Sequence, residues 1–230
     1  MTAIENKIII EEYLAYLGNK DFPCLAAKAT VALQQMKCMV AENLSCPQEN
    51  AAILKFVYEF VDSFRNTEKS FHSAAVIFKQ PEIKNEKQFD ELLWRKLQDL
   101  IDLDAVNYKY DKRVDADPFS QNFSFSLKEE AFFIIGLHPL SSRPARRFTY
   151  PALVFNPHIQ FEKLREEEKY ERMQDVVRKR DTALSGSINP MLEDFGKSSE
   201  VYQYSGRKYD KTWQCPLKIN HADNTNNSTT

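Results

Sequence analysis

Residues 131–161 read AFFIIGLHPLSSRPARRFTYPALVFNPHIQF. Ala131 to Leu137 and Ala152 to Phe155 are short, uniformly apolar runs, the pattern of strands covered on both faces. Between them lies a loop with three arginines, Arg143, Arg146 and Arg147. Asn156-Pro157 then reads as a helix start, N-cap followed by Pro at N1, which places His158 at about N2. The helix is expected to continue through about Arg180, laced with pairs such as Glu168/Arg172 and Asp175/Lys179.

Upstream, Ala74 to Phe78 is a β-rich run that ends before Pro81. An amphipathic helix from about Lys87 to Leu103 follows, with Phe89, Leu92, Leu93, Leu97, Leu100 and Ile101 on one face, and then a polar loop through Asp117-Pro118. The first 66 residues read as three helices. Ile4 to Leu17 is stopped by Gly18-Asn19. Phe22 to Asn43 opens with Asp21 as N-cap and Pro23 in its first turn. Gln48 to Arg65 carries the stripe Ile53, Phe56, Val57, Phe60, Val61 and Phe64. Beyond Gly186 the pattern is irregular, and His221 to Thr230 is a polar tail expected to be disordered. The order of elements predicts a single α+β domain over residues 1–220, mainly helical, with a small, mostly antiparallel sheet.

Composition narrows the function classes. The chain has 230 residues, 43% hydrophobic and 28% charged, which excludes disordered, collagenous and coiled-coil architectures. With 31 basic against 33 acidic residues, the net charge of -2 gives no global field for nucleic acid or an anionic membrane. No apolar run approaches the ~18 residues of a membrane span and the N-terminus lacks a basic signal-peptide start, so a cytoplasmic protein is expected. Cys24, Cys38, Cys46 and Cys215 have no paired C-x-x-C spacing and read as reduced thiols. There are only five glycines, where ordinary usage gives about sixteen in this length. That disfavours every Gly-rich phosphate-loop fold.

From Ala131 to Phe161 there is no Asp, Glu or Lys, yet the segment holds three Arg and two His. Two buried strands there deliver His138 at the end of one and His158 after the other, with arginines between. That arrangement suits an anionic cofactor whose metal takes an imidazole, because the planar guanidinium stays charged and makes paired charge-assisted bonds. A helix start disfavours imidazolium and keeps His158 a neutral ligand. The plainer readings are a hydrogen-bonded cap histidine and a solvated Arg146-Arg147 face. Cys24, in a first helical turn, is either a thiolate ligand or nucleophile stabilised by unpaired N–H groups, or a small buried hydrophobe. Gly186 to Leu192 and Gln203 to Arg207 are polar loops of the kind that wall a site. Glu193, Asp194 and Glu200 are the nearby acids.

Several blocks resemble the YqcI/YcgG family: Phe22-Pro23-Cys24 with Ala27-Lys28; Gly136-Leu137-His138-Pro139 with Ser141-Ser142-Arg143 and Arg146-Arg147-Phe148; and Val154-Phe155-Asn156-Pro157-His158 with Phe161 and Leu164-Arg165. So do Gly186-Ser187, Asn189 to Leu192, Gln203 to Arg207 and Trp213-Gln214-Cys215-Pro216. The resemblance runs from about Asp21 to Pro216. It implies a b-type haem protein, since characterised relatives are haem-dependent N-hydroxylases of guanidino nitrogens, with dioxygen or peroxide as co-substrate. On that footing His158 is the expected iron ligand, with His138 and Cys24 as alternatives. Arg143, Arg146 and Arg147 are expected to clamp the propionates, with Ser142 and Arg207 also on the cofactor and Phe155 and Phe161 flanking the porphyrin. His138 or Cys24 would assist dioxygen chemistry, and Glu200 or Asp194 would bind a guanidinium.

The resulting expectation is a haem-dependent oxygenase that N-hydroxylates a small cationic metabolite. No flavin or nicotinamide fingerprint is present, so electrons would come from an external donor. The alternatives are a non-catalytic haem sensor or carrier, and a thiol-based redox protein built on Cys24. Neither nucleic acid nor a membrane is an expected partner, and the exposed aromatics are compatible with a homodimer.

Overall fold

A computed structural model describes residues 2–67, 71–187 and 198–220. The expected tail at His221 to Thr230 lies outside the described residues. Five strands, β1 (Met36–Asn43), β2 (Ser73–Gln80), β3 (Phe125–Leu127), β4 (Glu130–Leu137) and β5 (Ala152–Pro157), form one sheet in the order β1-β2-β5-β4-β3. Only β1 and β2 are parallel; the other three pairings are antiparallel. The expected α+β domain with a mostly antiparallel sheet is therefore what forms.

Alternation along the strands sends successive side chains to opposite faces. Ala74, Val76 and Phe78 of β2 and Leu153 and Phe155 of β5 enter the larger core. Covering it are α3 (Asn50–Arg65) and α4 (Glu86–Asp104), whose apolar stripes lie where the periodicity placed them. Ala75, Ile77, Ala152 and Val154 face the other way, against Ile9, Tyr13 and Leu17 of α1 (Thr2–Gly18) and Phe22 ahead of α2 (Leu25–Ala32).

Two expectations are corrected. The second helix does not reach Asn43: it ends at Ala32, Gln34 takes a left-handed φ of 56°, and β1 follows. Met36, Cys38 and Val40 face α1 and α2, while Met39 and Ala41 face α3 and α4, a two-residue period rather than a helical one. The helix expected from Pro157 to Arg180 is split. Asn156 and Pro157 belong to β5, and the Asn156 amide donates to the Phe133 carbonyl at 3.1 Å instead of capping a helix. Two helices follow, α5 (Ile159–Glu166) and α6 (Tyr170–Ser185), separated by Glu168 with φ 54°. The short α7 (Val201–Tyr204) packs on β4.

The β3–β4 hairpin turns through Lys128 and Glu129, with φ of 53° and 55°. Two positive-φ residues match the twist of a hairpin, a conformation that normally selects Asn-Gly. Here outside contacts hold it: Asp104 accepts from the Lys128 N–H at 3.0 Å, and Arg65 donates to the carbonyls of Lys128 and Glu129, both at 2.9 Å.

Candidate functional site

A cavity of about 310 Å³ lies on the α1/α2 side of the sheet. That volume is at the lower end of the ~300–1,000 Å³ typical of ligand pockets. Its floor is apolar, from Phe133, Ile135 and Leu137 of β4 and Val154 of β5. Leu17, Phe22 and Cys24 wall one side; Phe161, Tyr170, Met173 and Val177 of α5 and α6 wall the other. Charged groups also reach the lining: Arg143, Arg146, Arg165, Arg178, Asp181 and Glu200. Cations outnumber carboxylates, so the cavity favours a ligand that is apolar over its body and anionic at its edge.

Cys24 is the N-cap of α2, a place the sequence reading gave to Asp21. Its sulfur accepts the Ala27 N–H at 3.5 Å. Burial pushes the thiol up, while the N–H groups of Ala27 and Ala26 pull the other way without winning. Ligand-free Cys24 is thus a thiol whose anion is already provided with backbone donors.

Arg146 is buried, and its Nη1 donates to the carbonyls of Tyr204 at 2.9 Å and Gly136 at 3.3 Å. Among the described residues no carboxylate pairs with it. Burial lowers its pKa to about 10, which still leaves a full positive charge at neutral pH. Arg143 is ion-paired with Asp181 and donates to the Ser187 carbonyl at 2.9 Å, which ties its loop to α6. Arg165 pairs with Glu162 and lies over the Tyr170 ring at 4.4 Å.

His158, the expected iron ligand, and its alternatives His138 and Cys24 lie in three different places. Cys24 alone lines the cavity. His158 lines a separate, polar pocket with Arg113, Asp115 and Glu162. Its Nε2 is 2.9 Å from Glu162 and its Nδ1 is 3.2 Å from Glu200. Burial alone would lower its pKa, but Glu200 and then Glu162 outweigh it and raise it. The neutral ring inferred from a helix dipole is therefore replaced by an imidazole disposed to hold its proton. His138 ends β4 on the opposite face, stacked on Phe89 of α4 at 4.3 Å. It is 1% exposed, its Nδ1 has no hydrogen-bond partner among the described residues, and burial lowers its pKa to about 4.

The other expected cofactor contacts divide in the same way. Phe155 points into the α3/α4 core, 5.8 Å from Phe132 and 6.5 Å from Phe125, because its β5 neighbours Val154 and Asn156 take the cavity face. Arg147 is spent on its own loop, donating to the carbonyls of Ser141 at 2.6 Å and Ser142 at 3.2 Å. Ser142 is exposed, with its N–H on Glu86 at 2.7 Å. Arg207 pairs with buried Asp90 at 3.2 Å, away from the cavity. Glu200 does line the cavity, yet both its oxygens are engaged: Oε1 faces His158, and Oε2 accepts from Ser124 at 3.0 Å and Tyr204 at 3.2 Å. That leaves it no free edge for a guanidinium. Glu193, Asp194 and the Asn189 to Leu192 block lie outside the described residues.

Sequence reasoning missed the α6 contribution. Tyr170, Met173, Val177 and Asp181 recur at helical spacing, a stripe visible once α6 is separated from α5. Among the described residues no three His, Cys, Asp or Glu side chains gather as a metal chelate, and no helix is long and apolar enough to cross a membrane.

Comparison with known proteins gives a consistent family picture. The model of the YqcI/YcgG family matches residues 11–218. The protein YqcI of Bacillus subtilis strain 168 is 27% identical over 213 residues, covering 87% of this chain and 83% of that protein. YcgG of the same organism is 27% identical over 209 residues, covering 85% and 80%. Both carry the description "uncharacterized protein". No solved structure matches.

Proposed function

The chain belongs to the YqcI/YcgG family, and on that premise we propose that it binds b-type haem in the β4/β5 cavity and oxygenates a nitrogen of a small cationic metabolite. The observation that carries this reading is a single one. A helix-capping thiol and a buried arginine with no carboxylate partner among the described residues face the same apolar cavity.

The donor set fits the group. Cys24, which lines the cavity where His158 and His138 do not, would hold the iron. Coordination deprotonates a thiol outright, and the Ala26 and Ala27 N–H groups would stabilise the sulfur anion against burial. Arg146, with Arg143 beside it, would hold the propionates through charge-assisted hydrogen bonds. Phe161 and Tyr170 would cover the apolar faces, and the β4 floor would exclude water. When bound, haem would supply activation of dioxygen or peroxide.

Glu200 is a positioning residue. It joins Ser124, Tyr204 of α7 and His158 rather than contacting substrate, so the metabolite's cationic group must meet another part of the wall. Gln174 and Gln203 are polar side chains of the lining that could meet it. Reducing equivalents come from an external donor, and four free cysteines suit a cytoplasmic setting.

The test is turnover. Protein reconstituted with haem, a chemical reductant and dioxygen is offered arginine, guanidine derivatives, lysine and simple amines, and products are read by mass spectrometry. A hydroxylated nitrogen supports the reading. Bound haem with no product from any of them leaves a carrier or sensor, and failure to bind haem removes the cofactor.

A further inference from the structure

Behind the cavity wall, oxidisable aromatic side chains continue from ring to ring toward the surface. Phe133, on the cavity floor, meets Tyr204 edge-on at 5.8 Å between centroids. Tyr204 stacks with Trp94 at 5.9 Å, Trp94 meets Trp213 at 5.7 Å, and Trp213 stacks on Tyr209 at 3.8 Å and meets Tyr202 at 5.3 Å. Tyr204 is fully buried, whereas Trp213 and Tyr202 are partly exposed. The run therefore begins one side chain from the cavity and ends at solvent.

Packing alone would be served by phenylalanines. What sets this run apart is that its inner members are hydrogen-bonded to buried carboxylates. The Tyr204 hydroxyl donates to Glu200 at 3.2 Å; the Trp94 indole N–H donates to Asp90 at 2.9 Å; the Tyr209 hydroxyl donates to the same Asp90. Asp90 is 4% exposed and Glu200 7%. Burying a carboxylate is costly unless it is paired and hydrogen-bonded. Each of these faces one cation, Arg207 for Asp90 and His158 for Glu200. A phenol or indole that hands its proton to an adjacent base is oxidised to a neutral radical, avoiding a buried positive charge.

We propose that Tyr204, Trp94 and the Trp213–Tyr209 pair form an electron-hole relay that drains a one-electron oxidant from the cavity to the surface. It rests on the oxygen-activating reading of the cavity, which names the oxidant by class as a peroxide-derived one-electron oxidant. In the first step the oxidant takes one electron from Tyr204 while the phenol proton moves to Glu200 Oε2. Trp94 then gives an electron to the tyrosyl radical, which recovers its proton from Glu200, and the indole proton passes to Asp90 Oδ1. An electron from the Trp213–Tyr209 stack restores Trp94, which takes its proton back. In the Tyr209 radical that remains, the phenol proton sits on Asp90, and a solution thiol or ascorbate reduces it. One electron has moved inward, and no proton has been transferred along the path. The relay would spare Cys24 and Met173 when an oxidant forms without substrate.

The test separates the relay from the cofactor. In a chain carrying Cys38→Ser, Cys46→Ser and Cys215→Ser, Cys24 is the one remaining cysteine and is labelled with a thiol-reactive ruthenium bipyridine sensitiser. Flash excitation with a cobalt ammine quencher then creates the oxidant at the cavity wall without haem. Transient absorption and freeze-trapped electron paramagnetic resonance read tyrosyl and tryptophanyl radicals. The relay predicts a radical on Tyr209 or Trp213, lost in Trp94→Phe and in Tyr204→Phe. Equal radical yield in parent and variants, or no aromatic radical in the parent, overturns it. Tyr204→Phe removes one oxygen and decides the matter if Trp94→Phe does not fold. A relay signal in protein that refuses haem overturns the cofactor and leaves the relay; bound haem without a radical does the reverse.

Discussion

Gly206 and Gly186 offer a matched pair of substitutions that weigh the Arg146 contact against backbone strain. Both glycines have left-handed φ, 82° and 74°. A Cβ on Gly186 would meet nothing within 4 Å among the described residues, whereas one on Gly206 would lie 2.7 Å from Arg146 Cδ and 3.2 Å from its Nε and Nη1. Gly186→Ala therefore costs only the left-handed conformation of an L-residue, about 1–2 kcal/mol. Gly206→Ala adds displacement of a buried guanidinium fixed by two carbonyls, an overpacking term of about 1–3 kcal/mol. The expected losses are roughly 1–2 kcal/mol for Gly186→Ala and roughly 2–5 kcal/mol for Gly206→Ala. Urea unfolding with an unchanged m-value measures both. Haem titration is expected to be weakened in Gly206→Ala alone. Equal destabilisation of the two, with equal haem affinity, would refute the placement of Arg146 as a held, cavity-facing cation.

Other predictions follow from the same geometry. His138, with its pKa lowered to about 4 from 6.5, binds fewer protons folded than unfolded, so it subtracts stability as pH falls. The wild type is expected to lose up to about 3 kcal/mol across that interval, and His138→Phe to show a flatter profile in urea melts. His158 tilts the opposite way. Its raised pKa gives stability that is present in acid and lost as pH rises through its folded value, and His158→Gln should abolish that loss. Phe155→Ala should cost about 3–5 kcal/mol as a core truncation and leave haem affinity intact, while Phe161→Ala should weaken haem binding; a haem titration that reverses the two would contradict their assignment to opposite faces. Arg146→Met removes one charge-assisted contact worth about 1.5–3 kcal/mol, an expected affinity loss of about tenfold or more in the same titration.

Most long elements were legible because their pattern is strong. The stripes of α3 and α4 and the apolar runs of β2, β4 and β5 predict themselves. β1 was not, because Thr30 to Met36 contains neither Gly nor Pro and the turn is made by Gln34 in a left-handed conformation. β3 has three residues and a hairpin turn of Lys128-Glu129, which lacks the Asn-Gly signal. At the site, Arg143 and Arg146 were legible as chemistry because the segment from Ala131 to Phe161 has no competing acids, and Cys24 because it falls in a first helical turn. Phe155 was misplaced for want of strand phase: in a uniformly apolar strand, composition does not tell which side chains face the cavity. The helical position and neutral charge expected of His158 were wrong because Asn156-Pro157 imitates a helix cap while continuing β5, and because Glu200, its partner, comes from 42 residues away by numbering.

The central claim is that the cavity holds haem through Cys24. The most direct measurement is the absorption spectrum of haem-loaded, reduced, carbon monoxide-treated protein, compared among wild type, Cys24→Ser and His158→Ala. A thiolate-type carbonyl band in wild type and His158→Ala that is lost in Cys24→Ser is the predicted result. An imidazole-type band that survives in Cys24→Ser and disappears in His158→Ala would contradict the account.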